Sequence, residues 1–238
     1  MKRSFLLFTL VVISCSTPSK KSTSTDWKSV FDGKSFNNWS VVSSDLEKSK
    51  SFWSIENGVI HCKSDEKNHP GSWLVFEQSL GDFEFKLKFK SNDSLKGNSG
   101  LQFRSKLDLA QNKMQGPQID IHPPKPFRTG LLYDETDGVK HWLYPLTSSW
   151  KLESYPTPEN WEYHSGKDQW NELYLFCKGT KIITKLNGVK LVDFDGNRVL
   201  NDSVHKNMGV GMNGKLSIQL HKKHIIDISF KDLYLKKL

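Results

Sequence analysis

Cysteine is scarce in this 238-residue chain: three occur, at positions 15, 62 and 177, and no two form a Cys-x-x-Cys pair. The spacing excludes the usual zinc or redox motifs and offers no disulfide framework. Equally missing are a Gly-rich phosphate loop, a His-Glu-x-x-His helix and a Gly-x-Ser-x-Gly elbow. No spacing asks for a metal or a cofactor, and neither is expected. After the first residues there is no apolar run long enough to cross a membrane and no internal repeat. From Trp27 onward, sustained helical periodicity is absent as well. Hydrophobic residues reach only 36%, yet 12% of the chain is aromatic, with eight Trp, fourteen Phe and six Tyr, which excludes a disordered polymer.

Charge is the first feature that is present rather than lacking. The formal net charge is +8; without Lys2 and Arg3 it is +6, and without Lys20 and Lys21 as well it is +4. The remaining basic residues are scattered through strand-like segments instead of forming a stripe, so no nucleic-acid partner is expected. Lys2-Arg3 and the apolar run Phe5–Ile13 form a secretion-type signal ending at Ser14-Cys15, which resembles a bacterial lipobox. The expectation is a lipoprotein signal over residues 1–14, lipidation at Cys15, a Ser/Thr/Lys-rich tether over 15–26 and one folded domain over 27–238. This places the protein in a bacterial cell envelope, touching the membrane through the lipid alone. Cys62 and Cys177 each sit in an apolar strand-like run, where a disulfide and two buried free thiols are both open.

Within the body, period-2 alternation recurs. Phe83, Phe85, Leu87 and Phe89 alternate with Glu84, Lys86, Lys88 and Lys90, and Asn187-Gly188 between two apolar runs predicts a hairpin over Ile182–Phe194. Many short strands with few helices predict an all-β sandwich or barrel. The segment from Pro123 to Lys167 is too long for a passive connection and is expected to form functional loops over one face.

Alternation also sorts side chains by face. Leu101 and Phe103 turn inward, leaving Gln102 and Arg104 outward. Ile119 and Ile121 turn inward, leaving Gln118, Asp120 and His122 outward. Leu216, Ile218 and Leu220 leave Gln219 and His221 outward. If these strands adjoin, the outward set forms a polar groove; the wet face of an ordinary antiparallel sheet is the plainer alternative. Gln, Arg, Asp and His are, however, groups that bind by forks, accept, or move protons. Tyr133 and Trp142 stand beside polar residues, as suits a sugar, although either could equally belong to the core. Asp134-Glu135-Thr136-Asp137-Gly138 lacks calcium-loop spacing and is expected to be an acidic turn.

Several short motifs in one order resemble the 3-keto-disaccharide hydrolase family. They are Val30–Trp39, Trp53–Ile60, Asn98–Arg104, Gly116–Ile121, Thr129–Glu135, Trp142–Tyr144, Trp170-Asn171 with Leu186–Val189, and Gly214–His221. The resemblance implies a concanavalin A-like jelly-roll sandwich of two antiparallel sheets and action on an oligosaccharide or glycoside carrying a ketone at C3. A C3 ketone acidifies the C2 proton; its removal gives an enolate that expels the C1 substituent, and water then adds. Carried over by position, Arg104 would clamp the ketone oxygen, Asp120 would be base or orienting group and His221 an acid/base partner. Gln102, Gln118, His122, Tyr133, Asp134, Trp142 and Gln219 would hold the substrate. Relatives usually have Gln-Ile-Glu-Ile-Asp where this chain has Gln118-Ile119-Asp120-Ile121-His122. The alternative on the same fold is a non-catalytic, lectin-like carbohydrate-binding module.

Overall fold

The computed structural model describes residues 26–92, 97–122, 128–152, 158–166 and 168–238. The expected signal, Cys15 and the tether through residue 25 lie outside the described residues. The first part of the chain forms β1 (Lys28–Ser29), β2 (Trp39–Val42), a short helix α1 (Leu46–Lys50), β3 (Trp53–Glu56), β4 (Val59–Ser64), β5 (Ser72–Phe76) and β6 (Phe83–Ser91). The middle forms β7 (Ser99–Asp108), β8 (Lys113–Gln115), β9 (Pro117–Ile121), β10 (Leu132–Asp134), β11 (Trp142–Tyr144) and β12 (Leu146–Thr147). Then come β13 (Asn171–Lys178), β14 (Lys181–Leu186), β15 (Val189–Asp195), helix α2 (Ser203–Met208), β16 (Lys215–Leu220) and β17 (Ile226–Lys237).

Among the described residues these strands build an all-β jelly-roll sandwich of two antiparallel sheets. One has the order β15-β14-β13-β6-β17-β4-β3, with β1 beside β17; the other has β12-β11-β10-β9-β7-β16-β5-β2, with β8 beside β7. The order follows from which faces the sequence makes apolar. On β6, Phe83, Phe85, Leu87 and Phe89 are fully buried between the sheets while the intervening Lys residues face out. The predicted hairpin is β14–β15: Asn187 (φ 49°) and Gly188 (φ 83°) both adopt the left-handed conformation a two-residue turn demands.

Sheet order also settles the cysteines. Cys62 on β4 and Cys177 on β13 are separated by β17 and β6, so three strand spacings alone put them at least about 14 Å apart, and the register offsets them along the strands as well. A disulfide needs Cα atoms within about 7 Å, so both are free and buried, and burial pushes both thiol pKa values well up.

The second sheet is covered on both sides. On β5, Leu74 and Phe76 enter the main core, while Trp73 and Val75 point the other way and pack under Met114 of β8 in a smaller apolar cluster. The β7–β8 ribbon thus folds back over the outer face of its own sheet. The outward side chains of β7, β9 and β16 therefore stand in a walled cleft rather than in open water: Gln102 and Ser217 are fully buried, and Gln118 and Asp120 nearly so.

Candidate functional site

The cleft is built on one line of polar side chains across three neighbouring strands. Ser217 on β16 donates to Gln102 Oε1 on β7 (3.1 Å), Gln102 Nε2 donates to Gln118 Oε1 on β9 (2.7 Å), and Gln118 Nε2 approaches Asp120 Oδ1 (3.4 Å). The register pairs Gly100 with Asp120, and a Cβ at Gly100 would meet the Gln118 amide at 2.4 Å. Any larger residue would push Gln118 out of line. Gln102 is thus a positioning residue behind the cleft, and its outward orientation matches the expectation from alternation.

Asp120 ends this line at a cavity of about 390 Å³. Burial raises its carboxyl to about 6, with the nearby Glu135 adding to the rise and Arg128 opposing it. Arg128 Nε lies 3.0 Å from Asp120 Oδ2, but the two are not aligned as a hydrogen bond, and among the described residues neither atom has another hydrogen-bond partner. The Arg128 guanidinium also rests over the Trp142 ring, 5.8 Å from its centroid. Trp142 in turn meets Tyr133 edge-on at 5.1 Å and donates its indole N–H to Trp150 O at 2.9 Å. Trp150 itself is 63% exposed and completes an aromatic wall along one side of the cavity.

His221 and His224 also line the cavity, meeting edge to face at 4.7 Å. Burial pulls His221 down to about 4, so it is neutral at ordinary pH. Its Nδ1 lies 2.8 Å from the Lys222 carbonyl, which can only accept, so Nδ1 carries the proton and Nε2 is left as an acceptor. Glu135 also lines the cavity; burial raises its pKa, and Lys113 and Lys140 only partly offset this. Asn98 adds a buried Oδ1 without a partner.

Of the residues expected from sequence, the cavity gathers Gln118, Asp120, His122, Tyr133, Trp142 and His221. Gln219 lines an adjoining compartment, and Gln102 stands behind. Arg104 is not in the site. The pairing of β7 with β16 slips between Lys215 and Ser217, which leaves a bulge where Arg104 takes a left-handed φ of 47°. The bulge reverses the alternation and sends the side chain toward the opposite sheet. There Arg104, fully buried, donates to the carbonyls of Gly81 (2.8 Å), Gly179 (2.6 Å) and Gly211 (3.3 Å) and pairs with Asp82 (3.0 Å).

Asp134 is likewise corrected. It points away from the cavity and binds His205 Nε2 at 2.7 Å, while His205 Nδ1 meets Asp202 at 2.8 Å. This buried bridge fastens α2 to the second sheet. Its neighbours take the cavity side: Tyr133, as expected, and Glu135 in place of Asp134. Asp137 of the predicted acidic turn is held by Lys113 (2.6 Å), Lys140 (2.9 Å) and Gln115 (2.6 Å).

Arg128, Glu135, Trp150, His224 and Asn98 were not expected. Period-2 alternation from Tyr133 would have picked out Glu135; Arg128 and Trp150 stand in loops, where no periodicity marks orientation. Among the described residues, no group of His, Cys, Asp and Glu side chains is arranged to hold a metal ion.

The fold is a two-sheet lectin-type sandwich whose outer face carries a polar, aromatic-walled cleft. The chain belongs to the family described as the 3-keto-alpha-glucoside-1,2-lyase-like domain, which matches residues 26–236. Among solved structures it is similar to a Parabacteroides distasonis protein described as a "putative glycosyl hydrolase". The two are 20% identical with a TM-score of 0.58, over 89% of this chain and 94% of that one. It is also similar to the Emp46p carbohydrate recognition domain (12% identity, TM-score 0.53, 89% and 94% covered). The VIP36 exoplasmic/lumenal domain gives 11% identity and a TM-score of 0.52, with 85% and 86% covered. At these identities the likeness is one of fold. Among curated proteins, none matches the chain.

Proposed function

We propose that the protein cleaves glycosides oxidised to a ketone at C3, with Asp120 as the base that removes the C2 proton. The observation that carries this is the state of Asp120: a buried carboxylate with a pKa near 6 and an oxygen lacking a hydrogen-bond partner at the cavity. A base of that strength is mostly ionised at neutral pH yet still a useful proton acceptor. His221, at about 4, is a weaker base. Arg128 then takes the part that the resemblance implied for Arg104. As the proton moves from C2 to Asp120, negative charge leaves the carboxylate and appears on the C3 oxygen. One guanidinium placed against the carboxylate can accompany that transfer.

The enolate reforms its carbonyl as the C1–O bond breaks, leaving a C1=C2 double bond conjugated to the ketone. The departing oxygen takes a proton, for which Glu135 is suited because burial favours its protonated form. Addition of water across C1=C2 returns a proton to C2 and a hydroxyl to C1, giving net hydrolysis; release before that step would make the reaction a lyase. Tyr133, Trp142 and Trp150 offer ring faces to the sugar's C–H surface. Incubation with 3-keto-glucosides and their unoxidised parents, with products identified by mass spectrometry, tests the proposal. Cleavage of only the oxidised series, lost in Asp120→Asn, is expected; glycan binding without turnover of any oxidised sugar would refute it. Lipid anchoring at Cys15 in a bacterial envelope remains part of the same proposal.

A further inference from the structure

Beside the cavity that holds Asp120 lies a second compartment of about 270 Å³, and Glu135 and His221 line both. We infer that this compartment is the leaving-group subsite and that it selects a ring carrying both a hydroxyl and an acidic group. The inference rests on the proposed cleavage for the words "leaving group", but the ligand chemistry comes from the compartment itself.

Two buried polar atoms in it have no partner: the Trp73 indole N–H, a donor, and Gln219 Oε1, an acceptor. Their side chains are 6% and 5% exposed, so open water does not satisfy them as it would a surface group. A hydroxyl satisfies such a pair, because it accepts from one and donates to the other. Met114 and Trp73 supply apolar lining.

The charged lining is predominantly cationic. Lys113, Lys140 and Lys222 all line it. The first two share a single carboxylate, Asp137, while Lys222 is exposed beside them. Glu135 is the lining carboxylate, and burial favours its neutral form. A ligand carboxylate therefore meets surplus positive charge. The division of labour follows: the ketone ring occupies the cavity of Asp120 and Arg128, and the scissile oxygen lies at the junction near Glu135.

The test is binding, not turnover. Glucuronate and 4-hydroxybenzoate are titrated into the mature protein against glucose and phenol, following the Trp73 indole N–H resonance, assigned with Trp73→Phe. The acid of at least one pair is expected to bind about fivefold to tenfold tighter than its neutral partner, and the pair that does so tells a uronic acid from a phenolic acid. That advantage is expected to vanish in Lys140→Gln/Lys222→Gln, whose exposed positions leave Asp137 still held by Lys113 and Gln115. Equal affinity for acid and neutral in both pairs, or an advantage that survives the double substitution, would overturn the inference. Failure to turn over 3-keto-glycosides would strike the proposed function and leave this binding result standing.

Discussion

Arg128 Nε stands 3.0 Å from Asp120 Oδ2 without hydrogen-bond alignment, at the wall of the cavity that both residues line. A pair satisfied by its own geometry would be a finished structural bridge. This one is left open to a third group, and the proposed reaction supplies it in the enolate oxygen. Arg128→Ala is expected to lower kcat by about a hundredfold to a thousandfold, the range seen when one oxyanion donor is removed. Steady-state kinetics on a 3-keto-glucoside checks this; Arg128→Lys, which keeps charge but loses the planar fork, is expected to recover only part of the loss.

Arg104 gives the contrasting case. Its side chain binds three backbone carbonyls and Asp82 far from the cavity, so Arg104→Ala leaves buried acceptors unsatisfied. We expect a loss of about 3–5 kcal/mol in denaturant unfolding. For the protein that remains folded, kcat is expected to be unchanged.

The raised pKa of Asp120 has consequences for both rate and stability. Activity is expected to rise with pH through about 6 as the carboxylate ionises. Stability runs the other way. Between 3.8 and about 6 the folded state keeps a proton that the unfolded chain has lost, so raising pH across that window destabilises the fold, by about 3 kcal/mol in all. Unfolding midpoints of wild type and Asp120→Asn, compared at pH 4 and pH 7, check the sign. The variant is expected to gain on wild type as pH rises, while its activity is lost.

His205 shows the opposite linkage. Burial alone would lower its pKa, but Asp134 and Asp202 together raise it above 6.5. Its contribution is therefore fully present below pH 6.5 and fades as pH rises through the folded value. Replacing it by Gln is expected to remove that fall from the stability profile above pH 6.5, measured by thermal unfolding, and to leave the pH–rate profile of the cleavage unchanged.

Membrane attachment is a separate prediction. Expressed in a bacterial host, the full chain is expected to incorporate labelled palmitate and to sediment with membranes, and Cys15→Ser is expected to do neither. Label retained in Cys15→Ser would place the lipid elsewhere, and no label in the unsubstituted chain would refute the anchor.

Much of this architecture was legible because a buried strand writes its period into the sequence. Phe83–Phe89, the Asn187-Gly188 turn and the outward set Gln102, Gln118, Asp120, Gln219 and His221 all follow from alternation, which a regular ladder preserves. Legibility stopped where the ladder is irregular. One bulge turned Arg104 from the groove to the opposite sheet. Glu135, two residues beyond Tyr133, keeps the regular alternation and was legible there, whereas Asp134 between them turns to His205. Arg128 and Trp150 lie in loops, and only tertiary contact brings them to the wall. The cysteines stayed undecided because sheet order, which separates them, is a long-range fact.

If Asp120 takes the C2 proton of a 3-keto-glycoside, the hydrogen at C2 exchanges with solvent during turnover. With enzyme in deuterated water, at a pH where spontaneous exchange is slow, the sugar product is expected to carry deuterium at C2. Unreacted substrate is expected to gain it too whenever reprotonation outpaces departure of the leaving group, and both are expected to disappear in Asp120→Asn. Cleavage that leaves the C2 hydrogen of the sugar product untouched, or C2 exchange undiminished in Asp120→Asn, would rule Asp120 out as the C2 base.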